Sequence, residues 1–315
     1  MGGLVHILYA VLIGPFVTMA EQPQFLLEVL IGGLLAGVMY SLVALGFVLI
    51  YKASRVFNYA QGTMVLFAAL TFVGLIERGM PGWLSLIAVV IVMIILAFAV
   101  ERVVLRPLVN QSEIILFMST LGISYFLVGF GQILWGGDVH PLDIGIPSGP
   151  LTVHGILINR LDLYAAIVAG TLVAVLALFF QKTRLGRALR AVADDHQAAM
   201  SVGIPLQRIW VLIWAIAGLV ALAAGIMWGA SLGVQFSLAL VALKALPVLI
   251  LGGFTSIPGA IAGGLIVGAA EKLGEVFWGP VIGSGVEDWF AYILALIFLL
   301  FRPQGLFGER IIARV

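Results

Sequence analysis

Residues 25–50 read Phe-Leu-Leu-Glu-Val-Leu-Ile-Gly-Gly-Leu-Leu-Ala-Gly-Val-Met-Tyr-Ser-Leu-Val-Ala-Leu-Gly-Phe-Val-Leu-Ile, and Glu28 is the only charge among them. A helix needs about 20 apolar residues to cross the hydrocarbon core of a bilayer. This run exceeds that length and is apolar on every face, so it has no side suited to water.

Nine further stretches resemble it: 4–19, 62–76, 83–100, 114–134, 163–180, 209–230, 237–251, 257–270 and 289–301. The expectation is an all-α, polytopic transmembrane bundle of about ten segments, forming a single transmembrane domain over 1–315. The stretches 62–76, 237–251 and 257–270 are short, so eight crossings plus a re-entrant pair is the alternative. The first stretch has no basic residues before it, unlike a cleaved signal peptide, and is expected to be a retained helix.

Composition agrees. Only 10% of the 315 residues are charged and 63% are hydrophobic, whereas a soluble domain carries about 25% charged residues. Mean hydropathy is +1.19. The net charge of +1 leaves no basic stripe for nucleic acid. With no cysteine, disulfides and thiolate metal sites are excluded. His6, His140, His154 and His196 are scattered, and no metal site is expected.

Lys and Arg collect in cytoplasmic loops. With the N-terminus inside, twelve of them are cytoplasmic: Lys52, Arg55, Arg102, Arg106, Lys182, Arg184, Arg187, Arg190, Arg208, Arg302, Arg310 and Arg314. Only Arg78 and Arg160 fall outside. Both termini of this multi-pass membrane protein are therefore expected in the cytoplasm.

The inner loop 181–208 contains Arg184-Leu-Gly-Arg-Ala-Leu-Arg-Ala-Val and then Gln197-Ala-Ala-Met-Ser-Val-Gly203. Arg187 and Arg190 are three apart and share a helix face, with Asp194 or Asp195 placed to cap the next turn. Two alanines present a small surface suited to a groove, and Gly203 permits a reversal before Pro205. A plain basic loop drawn to anionic lipid is the competing reading.

Gln197-Ala198-Ala199…Gly203 resembles the Glu-Ala-Ala-x-x-x-Gly signature of binding-protein-dependent ABC importer permeases, with glutamine in place of the glutamate. Glu101-Arg-Val-Val-Leu-Arg-Pro107, Phe57-Asn-Tyr-Ala-Gln-Gly62, Leu251-Gly-Gly-Phe-Thr-Ser-Ile-Pro-Gly-Ala260 and Arg302-Pro-Gln-Gly-Leu-Phe307 resemble landmarks of the LivH-type branched-chain amino-acid transport permease family. They occur in the family's order from residue 25 to residue 307; the segment before Glu21 looks like an extension.

The resemblance implies a permease core completed by a second, LivM-like permease subunit, two ATPase subunits and a periplasmic solute-binding protein. ATP and Mg would sit on the partner subunits, so no cofactor is expected on this chain. Arg187, Arg190, Gln197, Ala198, Ala199 and Gly203 would form the coupling loop gripped by an ATPase.

Two regions interrupt the apolar pattern and are candidate pathway elements. Asn58 and Gln61 stand at a helix start; relatives generally carry histidine at the position of Gln61. Lys244 lies within an apolar stretch, where a lysine costs about 3 kcal/mol, and Glu271 is its expected partner. Snorkelling to the interface is the plainer account of Lys244. Gly33/Gly37/Ser41, Gly259/Gly263 and Gly264/Gly268 are small-xxx-small pairs that allow close helix packing. Trp83, Trp135, Trp210, Trp278, Trp289 and Tyr292 lie near segment ends, as interfacial anchors do.

No Gly-x-x-x-x-Gly-Lys-[Ser/Thr] loop, His-Glu-x-x-His pair or Gly-x-Ser-x-Gly turn is present, so no ATPase or hydrolase chemistry is expected here. An ion-coupled secondary transporter or channel is the rival class, since such proteins also use broken helices. It would leave the Gln-Ala-Ala loop without a purpose.

Overall fold

The computed structural model describes residues 9–108, 111–147, 149–194, 196–283 and 285–308, with backbone only at Asp194, His196 and Gln197. The start of the stretch 4–19, His6, Asp195, Arg310 and Arg314 lie outside the described residues.

A short helix α1 (Gly14–Glu21) precedes the 32-residue α2 (Pro23–Ser54). At 1.5 Å per residue α2 is about 48 Å long. Proline at its first turn costs no hydrogen bond there, and Arg55 ends it in the left-handed region, φ 56°. Because α2 is apolar all round, it is buried almost continuously from Met39 to Ile50 and serves as the central mast.

Then follow α3 (Gln61–Glu77), α4 (Gly82–Ala99) with a π-helical turn at Val100–Leu105, and α5 (Glu113–Trp135). A β-hairpin, β1 (Pro150–Val153) and β2 (Ile156–Asn159), occupies the connection between α5 and the next helix. Its two-residue turn, His154 and Gly155, has φ of 51° and 84°, the mirror-type turn that matches strand twist.

The chain continues through α6 (Arg160–Lys182), α7 (Arg184–Asp194), α8 (His196–Ser201), α9 (Leu206–Leu232), a 3-10 turn (Phe236–Leu240), α10 (Val241–Gly252) and α11 (Ile257–Leu273). A π-helical turn (Gly274–Trp278), α12 (Gly279–Ile282) and α13 (Val286–Phe301) complete it.

Among the described residues, five helices are long and apolar enough to cross a membrane: α2, α4 with its π turn, α5, α6 and α9. A sixth arises if Phe236–Gly252 and Ile257–Ile282, bent by 115° at their break, count as one span. The short stretch 62–76 becomes the 17-residue α3, buried from Gln61 to Gly74. By contrast α4, α5 and α6 expose most of their surface, and what they expose is apolar: Ile95, Phe98, Phe126 and Ile133 among others. These helices form the exposed apolar wall, and α2, α3 and α9 the interior.

The break between α10 and α11 falls where Gly252-Gly253 meets Ser256-Ile-Pro258. Gly253 has φ 99°, and Ser256 Oγ caps α11 by accepting from Gly259 N at 3.0 Å. Carbonyls freed by the break accept from the C-terminal tail: Leu306 N donates to Leu251 O at 2.7 Å and Phe307 N to Gly252 O at 3.2 Å. Two stretches quoted above, 251–260 and 302–307, thus complete each other's backbone hydrogen bonding, which leaves fewer polar groups unpaired where the helix is broken.

Candidate functional site

The glycine pairs meet one another. Gly33 and Gly37 on α2 lie against Gly268 and Gly264 on α11; a Cβ at Gly37 would stand 2.5 Å from Gly264 O, and one at Gly33 2.7 Å from Gly268 O. Ser41 Oγ donates to Gly37 O at 2.8 Å and to Ile261 O at 3.3 Å, tying the two helices. On the other side of α11, Gly259 and Gly263 face Gly252 and Val248 of α10. Without side chains at these positions the backbones approach to contact, so α11 is clamped between α2 and α10.

That clamp holds a cluster of charges. Lys244 Nζ on α10 is 2.8 Å from Glu271 Oε1 on α11, 3.3 Å from Glu287 Oε1 and 3.3 Å from Asp288 Oδ1 at the start of α13. Tyr40 on α2 donates its hydroxyl to Glu271 Oε1 at 3.0 Å. The Tyr40 ring stacks on Trp228 of α9, with centroids 5.5 Å apart and planes 18° from parallel. Three carboxylates around one ammonium offset the cost of holding a lysine away from water. The acids at Glu287 and Asp288 also suit the positive end of α13.

A cavity of about 420 Å³ opens beside this cluster, lined by Tyr40, Asp162, Trp228, Lys244, Glu271, Lys272, Glu287 and Asp288 and by apolar side chains of α2 and α10. Glu271 is 4% exposed, and its Oε2 has no hydrogen-bond partner among the described residues; the same holds for Trp228 Nε1. Lys244 and Glu271 were singled out in the sequence; Tyr40, Trp228, Glu287 and Asp288 were not. A tyrosine inside an apolar run and an acid pair opening a helix were the available signals.

Asn58 and Gln61 are fully buried. Asn58 Nδ2 donates to Gln61 Oε1 at 3.2 Å, and Asn58 Oδ1 accepts from Ala60 N at 3.1 Å. The Gln61 carboxamide fills the space that a Cβ at Gly46 would need. Together they organise the start of α3 against α2.

At the end of the bundle carrying Lys52 and Arg55, α7 and α8 form an elbow outside the long helices. Leu189, Val192 and Ala193 are buried against the bundle, while Arg187 is exposed and Arg190 half-buried. Ala199 is buried; Ala198, Met200, Val202 and Gly203 are exposed. Gly203 has φ 84° with no atom near its Cβ position, so it turns the chain into α9 as only glycine does without strain. Gln197 falls in α8, and its side chain lies outside the described residues.

Arg190 and Lys52 border a second cavity of about 260 Å³ with Ser256 and Phe307. Trp210, read as an interfacial anchor, is instead buried and donates from Nε1 to Ala53 O at 3.2 Å. Among the described residues no group of His, Asp and Glu could hold a metal ion.

The opposite end carries Glu77, paired with His140 Nδ1 at 2.9 Å, and Arg78, whose guanidinium lies 4.3 Å from the Trp135 ring centroid. On the flank, Glu101 is fully buried and takes Arg106 in a two-bond fork, Nε to Oε1 at 3.1 Å and Nη2 to Oε2 at 3.2 Å. The π-helical turn sets residues five apart on one face, with Arg106 N bonded to Glu101 O at 2.8 Å.

Known proteins resemble this chain in sequence and fold. The family described as branched-chain amino acid transport system / permease component matches residues 29–302. The high-affinity branched-chain amino acid transport system permease protein BraD of Pseudomonas aeruginosa is 30% identical, over 92% of this chain and 98% of its own length. The corresponding protein LivH of Escherichia coli is also 30% identical, over 94% of this chain and all of its own. PsaBC from Streptococcus pneumoniae, solved in complex with Fab, shares the fold at TM-score 0.50 and 15% identity, covering 92% of this chain and 95% of that one. This chain is an integral membrane protein, and it belongs to the branched-chain amino acid transport permease family.

Proposed function

We propose that this chain is the membrane-spanning subunit of an ATP-driven importer that carries branched-chain or related hydrophobic amino acids across the bacterial inner membrane. The observation that carries this reading is the pair of short helices α7 and α8 at the basic end, which expose Arg187, Ala198, Met200 and Val202, on a chain whose family match spans residues 29–302.

In this reading the end bearing Lys52, Arg55 and Arg190 faces the cytoplasm, as do both termini. Residues 181–208 form the coupling loop. Ala198 enters an ATPase groove beside Gln197, Ala199 packs the short helix against the bundle, Arg187 and Arg190 lie on its flank, and Gly203 returns the chain to the membrane. Two ATPases supply the ATP and Mg chemistry. A second, LivM-like permease completes the path, and a periplasmic binding protein delivers the solute. Asn58, Gln61, Lys244 and Glu271 belong to the path or its support.

Nucleotide shifts such an assembly only through different affinities for its inward- and outward-open states. The elbow transmits that difference to the helices that line the solute path.

Co-purification tests the proposal. Solubilised from membranes, the chain is expected to bring ATPase subunits with it, and uptake in proteoliposomes is expected to stop when their nucleotide site is disabled. Uptake by this chain alone, driven by an ion gradient, would favour the secondary-transporter class and overturn the importer reading.

A further inference from the structure

We infer that the cavity of about 260 Å³ at the basic end binds the phosphate of an anionic phospholipid between Lys52 and Arg190, with the lipid's apolar stem against its walls. The site needs only that the chain lies in a membrane, so it is independent of the importer reading.

Six parts of the chain converge here: α2, α6, α7, α9, the break that opens α11, and the tail at Phe307. Two lining residues are charged, Lys52 on α2 and Arg190 on α7, and both are basic. Each is half-buried, so its charge is partly withdrawn from water and still open to a ligand. Other inward cations are answered from within the chain: Lys244 by Glu271, Glu287 and Asp288, and Arg106 by Glu101. Lys52 and Arg190 enter no ion pair among the described residues. Two like charges lining one space repel each other, and an anion between them attracts both. Ser256 and Ile257 also line the cavity, where the 17-residue α11 begins and its dipole is positive.

The remaining walls decide what kind of anion fits. Leu49, Phe180, Leu189, Ile213 and Phe307 are apolar, which suits an anion carrying hydrocarbon better than a bare inorganic one. Lys52 and Gln181 lie in the last turns of α2 and α6, the depth at which spanning helices leave the hydrocarbon. Phe307 is exposed, and α6 presents Val175 and Leu178 outward beside the lining residue Ala177. A basic pocket between helices at that depth is the arrangement that holds anionic lipid headgroups. A phosphate shared by Lys52 and Arg190 fastens α7 to α2, beside the bond from Arg55 to Ala193 O.

The test titrates phosphatidylglycerol into the full-length chain, purified in neutral detergent and washed free of lipid, with the thermal unfolding midpoint as readout. Phosphatidylglycerol is expected to raise the midpoint. Phosphatidylcholine with the same acyl chains has no net charge and should act much more weakly. Glycerol 3-phosphate, which has the phosphate without the chains, should have no effect at the same concentrations. Lys52→Gln and Arg190→Gln should each raise the phosphatidylglycerol concentration giving half the shift about fivefold. Lys52→Arg and Arg190→Lys keep the charge and should stay near the wild type. Arg184→Gln, exposed on the same helix and outside the cavity, should leave the titration unchanged.

Equal shifts from phosphatidylglycerol and phosphatidylcholine would overturn the site. So would equal shifts from phosphatidylglycerol and glycerol 3-phosphate, which would mean a free-anion site. A loss in Arg184→Gln as large as that in Arg190→Gln would reduce the effect to diffuse surface charge. Native mass spectrometry, which reads only the folded fraction, checks the variants whatever their stability. One tightly held phosphatidylglycerol is expected in the wild type and none in the double variant Lys52→Gln/Arg190→Gln; the same count in both would overturn the proposal.

Discussion

Arg55 Nη2 donates to Ala193 O at 3.3 Å, joining the end of the central helix α2 to the helix α7. Its backbone holds φ 56°, a conformation that costs an L-residue about 1–2 kcal/mol. Fifteen residues earlier on the same helix, Tyr40 reaches the Lys244–Glu271 pair. One stiff rod therefore touches both the elbow and the charged cavity.

Arg55 separates strain from contact. Arg55→Ala loses the bond to Ala193 and keeps the unfavourable φ; Arg55→Gly loses the bond and relieves the backbone by about 1 kcal/mol. The glycine variant is expected to unfold at the higher temperature of the two. Both should transport less per ATP hydrolysed than the wild type if the α2–α7 link carries motion. Equal transport per ATP in all three would remove Arg55 from the coupling route.

Gly203 sits at φ 84° in open space. Gly203→Ala should cost about 1 kcal/mol of local stability, with modest loss of uptake. Gly203→Glu adds a charge to the proposed ATPase-facing corner and should abolish transport while the protein still inserts in the membrane. Normal solute-stimulated ATP hydrolysis in that variant would count against the coupling-loop assignment.

The α2–α11 seam tolerates no side chain. Gly37→Leu and Gly264→Leu drive atoms into the facing backbone, which cannot yield as a side-chain tip can, and each should cost more than about 3 kcal/mol. Gly122 in α5 has nothing within 4 Å of its Cβ position. Gly122→Ala should therefore be neutral or stabilising by about 0.5 kcal/mol. Detergent-extracted yield and unfolding midpoint read both.

Glu101 and Arg106 form the two-bond fork on the π-helical turn. Arg106→Lys keeps the charge but loses the fork geometry and should cost about 1 kcal/mol. Glu101→Gln, which leaves a neutral group in a fully buried place beside an unpaired guanidinium, should cost about 2 kcal/mol. A midpoint unchanged in Glu101→Gln would show the pair to be energetically idle.

Much of the architecture was legible because its cause is local. A run such as 25–50 is apolar whatever surrounds it, and its length alone commits it to a membrane-spanning helix. The glycine pairs were legible as packing faces for the same reason, since their spacing places both on one side of a helix. Their pairing partner was not. Gly37 could have met any small-residue face, and only the folded chain sets it against Gly264.

The hairpin at 150–159 and the π-helical turn at 100–105 escaped the sequence reading, because each depends on a backbone pattern that apolar periodicity does not report. Of the charged cluster, the sequence by itself named Lys244 and its candidate partner Glu271 and left snorkelling open, because a lone ammonium in an apolar run is costly. That the two meet, and that Tyr40, Glu287 and Asp288 join them, was decided only by tertiary structure. Tyr40, Trp228, Glu271 and Glu287 lie on four other helices, and chain-distant side chains share one cavity only after the helices have packed.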